Sequence, residues 1–320
     1  MNVLSLFDGM SCGQQALERA GFKVTNYFAS EIDKHAIKVT MANYPNTIQL
    51  GSVVDVDGYS LPKIDLLIGG SPCQSFSFAG KRKGMSTKCD TEILTLEHYL
   101  QLKSEGFEFE GQSYLFWEYM RLLNETKPKY FLLENVEMGE KWERVLSKAI
   151  GVNGIHINSA LVSAQNRKRI YWTNIENVAH PSDKKIFLES ILEDLPDCEI
   201  GIKVRQKSNS VRVGGRNSPF GSKQIWDSPF QRIGKKGNVK PGILKSSCLT
   251  GGGNSGGNHS DMDILHSLNY TRRYSVTECE RLQTVTDGYT AHVSDSQRYK
   301  MLGNGWTVEV IAYIFKHMKL

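Results

Sequence analysis

Apolar residues in the first half of the chain fall in short runs that end on glycine or acidic turns, and stretches of helical spacing follow several of them. Residues 3–7 are the first run and stop at Asp8-Gly9; helical spacing over 14–20 then ends at Gly21. A second run, 24–29, ends at Ser30-Glu31, and the helical stretch 34–43 is closed by Pro45. A third, 64–68, runs into Gly69-Gly70-Ser71-Pro72-Cys73. Residues 114–124 are amphipathic, and the apolar run 130–133 ends at Glu134-Asn135. This alternation predicts an α/β fold with a doubly wound, mostly parallel sheet and a ligand at the carboxyl ends of its strands.

The rhythm stops at about residue 177. Between 201 and 260 there are twelve glycines, and 251–257 is nearly all Gly, Asn and Ser. Such composition suits loops and irregular strands, or an insert with no fold of its own. Ile225, Trp226, Phe230, Ile233, Ile243 and Leu244 are enough for a modest core, which favours a smaller, loop-rich second domain. Helical spacing returns over 276–282 and 308–318. The layout expected is therefore a larger domain over 1–176, the smaller one over 177–269, and a return to the first over 270–320.

Hydrophobic content of 40% and charged content of 23% are ordinary for a soluble globular chain. Asp8 and Glu18 within the first twenty residues do not read as a signal peptide, and no stretch of spanning length is free of charge. The six cysteines are scattered, without a C-x-x-C pair, which argues against a zinc site and a secreted disulfide framework. The net charge of +5 is unevenly spread: residues 201–260 carry eleven Lys or Arg and one acid, Asp227, leaving the remainder at −5. A ten-charge excess in sixty residues calls for a polyanion. Nucleic acid fits better than an anionic membrane, because the segment lacks an amphipathic helical period.

Two turns carry candidate chemistry. Phe7-Asp8-Gly9-Met10-Ser11-Cys12-Gly13 joins strand to helix, and Glu31 ends the next strand, as an acid placed for ribose hydroxyls would. The spacing is not G-x-G-x-x-G, and Asp8 would repel a pyrophosphate. An acid there suits a cofactor with a cationic amino-acid group, which favours S-adenosylmethionine over NAD. In Gly70-Ser71-Pro72-Cys73-Gln74, Cys73 stands at the mouth of a strand. Most cysteines are small buried residues, but this position is one where a reactive group would stand. Glu134 ends another apolar strand, and if the two strands are neighbours, thiol and carboxylate face one pocket. Cys and Glu without His is no protease dyad. The pair suits attack on a heteroaromatic ring whose nitrogen is hydrogen-bonded as the nucleophile adds.

With Phe7-Asp8-Gly9, Ser71-Pro72-Cys73-Gln74, Glu134-Asn135-Val136, Gln165-Asn166-Arg167-Lys168-Arg169, Glu278 with Arg281-Leu282-Gln283, and Gly303-Asn304 in that order, the chain resembles the cytosine-5 DNA methyltransferase family from residue 2 to about 315. The resemblance implies the S-adenosylmethionine-dependent methyltransferase fold, with residues 177–269 as target recognition domain. It implies Cys73, Glu134, Arg167 and Arg169 as catalytic residues acting on a cytosine flipped from the duplex. It places the cofactor against Phe7, Asp8, Gly9, Met10, Ser11, Cys12, Glu31, Ile32, Ser52, Val53, Asn304 and Trp306. DNA contacts are expected from Gln74, Ser75, Lys81, Arg82, Gln165, Lys235, Lys236 and Thr250.

Ala29-Ser30-Glu31 and the Trp306 motif look like the eukaryotic de novo branch, whereas Pro72-Cys73-Gln74 is the commoner bacterial and phage form. The family's usual Asp after Gly51 is Ser52 here, so the adenine contact falls to Ser52 or to Asp55. The basic run Gly80-Lys81-Arg82-Lys83-Gly84 fits a lid over DNA, and 88–112 looks like an insertion without a role. The implied partner is double-stranded DNA, with no membrane and no metal. A monomer is expected, in the cytoplasm of a bacterial or phage-infected cell, with restriction-modification among its possible settings. The alternatives are a transfer-RNA cytosine-5 methyltransferase, which usually carries a Cys-Phe-Thr motif not found here; a catalytically silent DNA-binding relative, which would lack Cys73; and a Rossmann oxidoreductase.

Overall fold

Strand β1, Asn2–Leu6, is almost wholly buried and lies between β2, Asn26–Ser30, and β4, Leu66–Gly69, both parallel to it. The structure is a computed structural model that describes residues 1–72, 92–109, 111–193, 245–246, 248–249 and 274–319, and the backbone of 230–233, 239–241, 264–266 and 271–272. In β4 all four residues, Leu66 to Gly69, are buried, as a central parallel strand covered on both faces requires. The two-residue β3, Ile48–Gln49, extends the sheet beyond β2, and β5, Tyr130–Val136, pairs with β4. Beyond β5 come β7, Lys168–Thr173, and the edge strand β6, Ile155–Asn158. The order is β3-β2-β1-β4-β5-β7-β6, with β7 antiparallel to both neighbours.

Helices cross between the strands as predicted: α1, Cys12–Arg19, and α2, Lys34–Asn43, whose N-cap Asp33 accepts from His35 N–H. Helix α4, Phe116–Thr126, buries Phe116, Trp117, Tyr119, Met120 and Leu122. Helix α5, Glu140–Ile150, places Trp142, Leu146 and Ile150 on one buried stripe and ends at Gly151, φ 84°. Among the described residues, no helix is long and apolar enough to cross a membrane.

The contacts divide the chain into two compact units. The first is Met1–Asn158, Lys168–His180 and Val310–Leu320, and it contains the seven-stranded sheet. The second is Ser159–Arg167 and Pro181–Glu309. This division falls at other places than the expected boundaries at 176/177 and 269/270. In the second unit, β8, Phe230–Ile233, β9, Val239–Pro241, β10, Ile264–His266, and β11, Thr271–Arg272, form an antiparallel sheet in the order β11-β10-β8-β9. Helices α6, Val276–Leu282, and α7, Asp295–Asn304, follow. Helix α8, Val308–Phe315, starts at the last residues of the second unit and continues in the first. Of the modest core expected there, Ile225, Trp226, Ile243 and Leu244 lie outside the described residues, and Phe230 and Ile233 are the ends of β8.

The segment without an expected role turns out to be part of the main core. Helix α3, Leu96–Ser104, is capped by Thr95, which accepts from His98 N–H. Ile93, Tyr99 and Leu102 are buried in the same cluster as the sheet, and the Phe109 ring lies 5.0 Å from Tyr99 and 4.6 Å from Tyr114. Beneath them the fully buried carboxylate of Glu118 accepts from Tyr99 Oη, Lys103 Nζ at 2.6 Å and Arg121 Nε at 2.8 Å. Replacing Glu118 with Ala leaves the largely buried Arg121 guanidinium without that partner, although Glu125 still holds it. We expect a loss of about 3–5 kcal/mol in urea unfolding. A loss below about 1 kcal/mol would mean that this cluster does not anchor the insertion.

Candidate active site

The sheet's strand order reverses between β1 and β4, and crevices form at such points, outside the carboxyl ends of the strands. Leu6 pairs with Ser30 and with Gly69, so β1, β2 and β4 end on one row; Gly69 also pairs with Leu133, beyond which β5 runs on to Val136. Each turn singled out in the sequence starts just beyond that row.

The turn after β1 is built from left-handed residues: Phe7 at φ 57°, Gly9 at 57° and Ser11 at 62°. A Cβ on Gly9 would meet nothing within 4 Å, so its Cα faces open space, while the positive φ still favours glycine. Glu31 accepts Gly9 N–H on Oε2 at 2.7 Å, and Ile32 N–H and Asp33 N–H on Oε1 at 2.8 Å each. This carboxylate ties the ends of β1 and β2 together. Ile32 is 71% exposed beside it, an apolar side chain standing at the rim. Ser30 Oγ donates to Gly51 O at 2.9 Å, which brings the turn carrying Ser52 and the buried Val53 to the end of β2. Ser52 is half-buried, whereas Asp55 is exposed.

Asp8 Oδ1 accepts from Ser5 Oγ at 2.6 Å and Tyr27 Oη at 2.8 Å, while Oδ2 is buried without a partner. Burial, helped by the negative charge of Glu31, raises its pKa from 3.8 to about 6, against the hydrogen bonds from Ser5, Tyr27 and Ser11. An open buried acceptor thus lies one turn from the N-terminus of α1, where Met10, Ser11 and Cys12 are buried. A zwitterionic amino-acid group needs such a pairing, with an acid for its ammonium and N–H groups for its carboxylate. Ser5 and Tyr27 escaped the sequence reading, although a serine inside an apolar run is the signal that marks such a partner.

On the other side of the crevice, Asn135 Nδ2 donates to Ser71 Oγ at 3.0 Å and to Ser71 O at 3.2 Å. The bond brings the turn after β4 against the end of β5. Glu134, 8% exposed, pairs with Arg169, whose Nε lies 2.9 Å from Oε1. The two reach each other diagonally, because Glu134 stands opposite Tyr171 and Val136 opposite Arg169. Gly69 has the Tyr119 ring at 3.0–3.1 Å from where its Cβ would sit, so the strand end is closely backed. Cys73, Gln74, Ser75, Lys81 and Arg82 lie outside the described residues, as do Lys235, Lys236 and Thr250.

The remaining candidates belong to the second unit. Asn304, exposed, ends α7, and Trp306, half-buried, follows it. Arg167 is buried and donates to backbone carbonyls of Leu249, Gly303 and Gly305. Gln165 was expected to face DNA. It is instead fully buried, with Nε2 donating to Leu282 O at 3.2 Å and Oε1 accepting from Leu249 N–H at 3.1 Å. Both ends of its amide frame the protein's own backbone.

The raised pKa of Asp8 sets a sign for stability. The folded state holds this proton more tightly than the unfolded state, so the stabilisation by protonation is full below 3.8 and is lost as pH rises through about 6. Asp8→Asn should therefore raise the melting temperature of the ligand-free protein at pH 7.5 by about 2–5 °C, with the gain vanishing near pH 4. An equal change at both pH values would exclude the carboxylate's ionisation as the cause.

The family model for C-5 cytosine-specific DNA methylase matches residues 1–104 and 100–320. The orphan methyltransferase M.SPRI of Bacillus phage SPR is 34% identical over 188 residues, which cover 55% of this chain and 38% of that protein's length. The chain thus spans little more than a third of that phage relative. The type II methyltransferase M.FnuDI of Fusobacterium nucleatum is 25% identical over 356 residues, covering 100% of this chain and 94% of its own length. Among solved structures, the Entamoeba histolytica methyltransferase EhMeth superposes with a TM-score of 0.66 at 14% identity, over 99% of this chain and 97% of that one, a likeness of fold. The chain belongs to the C-5 cytosine-specific DNA methylase family.

Proposed function

We propose that the chain transfers a methyl group from S-adenosylmethionine to carbon 5 of a cytosine flipped out of duplex DNA, with Cys73 as covalent nucleophile. The observation that carries this reading is the pairing of β4 with β5, reinforced by the Asn135–Ser71 bonds. It brings Ser71, two residues before Cys73 in the sequence, against the strand that carries Glu134, which supports a reading in which one cytosine ring meets both groups.

The cofactor fits the residues present. Asp8 would accept the ammonium, the N-terminus of α1 would face the carboxylate, Glu31 would take the ribose hydroxyls, and Ile32 with Val53 would flank the adenine. When bound, S-adenosylmethionine supplies an electrophilic methyl group. The Cys73 thiolate adds to carbon 6, forming a C–S bond and pushing the ring electrons toward carbon 5. Glu134 hydrogen-bonds ring nitrogen 3 and the exocyclic amine, and Arg169 fixes the carboxylate oxygen it holds. Carbon 5 would form its new bond to the methyl carbon as the methyl–sulfonium bond breaks, with that electron pair left on sulfur. A base, read as water, then removes the carbon 5 proton; the electron pair restores the ring double bond and expels Cys73 as thiolate. Residues 177–269 choose the target, with Lys235 and Lys236 on phosphates.

The test is transfer of a labelled methyl group to duplex DNA and, in parallel, to transfer RNA. Duplex DNA should be labelled, and label in transfer RNA alone would overturn the substrate assignment. Cys73→Ser should abolish transfer while cofactor binding survives, since a serine hydroxyl is a far weaker nucleophile than a thiolate. Glu134→Gln should lower kcat by about 10²–10³-fold with DNA affinity nearly unchanged. A change confined to KM would make Glu134 a binding residue.

A further inference from the structure

Three stretches of the second unit that the sequence treats separately meet at the guanidinium of Arg167. Nη1 donates to Leu249 O at 2.8 Å and to Gly303 O at 3.2 Å, with Cys248 Sγ at 3.3 Å. Nη2 donates to Gly305 O at 2.9 Å. Leu249 directly precedes Thr250 and the glycine-rich run 251–257, assigned to DNA. Gly303 and Gly305 flank Asn304 and precede Trp306, assigned to the cofactor. Arg167 itself is two residues from Arg169, the partner of Glu134.

The Leu249 end is also held by backbone bonds. Ser246 N–H donates to Ala164 O at 2.7 Å, Asn166 N–H donates to Ser246 O at 2.8 Å, and Lys245 Nζ donates to Ile186 O at 2.8 Å. The turn after α7 has its own brace: Gln283 Nε2 donates to Leu302 O at 2.6 Å, and its Oε1 accepts from Thr307 Oγ1 at 3.0 Å. Neither of these braces bridges the two stretches directly, although Gln165 ties Leu249 to Leu282, the neighbour of Gln283. The planar guanidinium bridges them directly, and its nitrogens keep a fixed spacing, so a shift of one carbonyl displaces the donor offered to the other.

We propose that Arg167 is a positioning residue that couples the target-recognition stretch to the cofactor turn, through its bonds to Leu249 on one side and to Gly303 and Gly305 on the other. Binding of DNA next to Leu249 and binding of cofactor next to Gly305 then favour the same guanidinium position, and each tightens the other. This rests on the function proposed above. Sequence motif alone placed Arg167 among the catalytic residues, whereas the carbonyls around its guanidinium give it this different task.

The test measures the affinity of the full chain for S-adenosylhomocysteine with and without a duplex carrying the site mapped for wild-type methylation. Linkage makes the ratio of the two affinities the coupling itself. Wild type should show about tenfold coupling, a mid-range value for two linked sites. Arg167→Lys keeps the charge but offers one point donor, so the ratio should fall to about twofold or less. Its melting temperature should fall, because buried carbonyls lose their donors, so both affinities are measured at a temperature where the variant is folded and only their ratio is read. A wild-type ratio near one, or an unchanged ratio in a folded Arg167→Lys, overturns the proposal. So does a variant that loses only kcat with both ligands saturating, which would return Arg167 to the chemistry. If Arg167→Lys does not fold, hydrogen exchange on the wild type decides. S-adenosylhomocysteine alone should slow exchange at 245–249, and DNA alone at 303–308; slowing confined to each ligand's own stretch overturns the coupling. Absence of wild-type methyl transfer to any duplex would be a failure of the parent reading, seen before these measurements begin.

Discussion

Three parallel strands stop on one row while a fourth, β5, runs past it, and the site is a consequence of where they stop. Leu6, Ser30, Gly69 and Leu133 are joined by register, and a one-residue slip of any strand would turn its following side chain to the other face of the sheet. Glu31, Glu134 and the turns at Phe7–Gly9 and Gly70–Pro72 owe their common edge to that register. Burial enforces it: the strands between these ends are nearly solid apolar residues, and no slipped arrangement keeps them all from water. Side-chain bonds then lock adjacent ends, Glu31 to Gly9 N–H and Asn135 to Ser71.

Charge is handled differently on the two sides of this edge. Around Asp8 the protein holds a carboxylate away from water with only hydroxyls against one oxygen. Such a group raises the energy of the ligand-free state and is relieved by a cation. At Glu134 the counter-charge is already built in as Arg169. The first arrangement suits binding a positively charged molecule. The second suits fixing a carboxylate against a neutral ring, where a loose side chain would lose the alignment that catalysis needs.

Much of this was legible because strand ends announce themselves in sequence. An apolar run terminated by Asp-Gly, Ser-Glu or Gly-Gly-Ser-Pro is read from local pattern alone, and all three mark the observed edge, whereas the strand expected to end at Glu134-Asn135 continues through them to Val136. What stayed hidden depends on contacts between distant residues. Strand β3 has two residues, too few for any period, and β7 opens with Lys168 and Arg169, which mimic a surface loop. Helix α3 is weakly amphipathic, and it belongs to the core through Tyr99 and Glu118, nineteen positions apart. Gln165 is a further case of contacts hidden from the sequence. A polar residue in a basic motif looks like a nucleic-acid contact, yet its amide completes backbone bonds at Leu249 and Leu282.

The reversed direction of β7 has a further consequence. A parallel strand brings its last residues to the reactive edge, so whatever follows must start there. Because β7 runs the other way, its first residues arrive at the edge, and the chain then travels away from it to Thr173. Arg169 is thus delivered on entry, and the chain leaves the edge along β7 toward Thr173. Any length of chain can be accepted after that exit without disturbing the strand that holds Glu134. Insertions beyond Thr173 therefore leave the pairing of Glu134 with Arg169 in place.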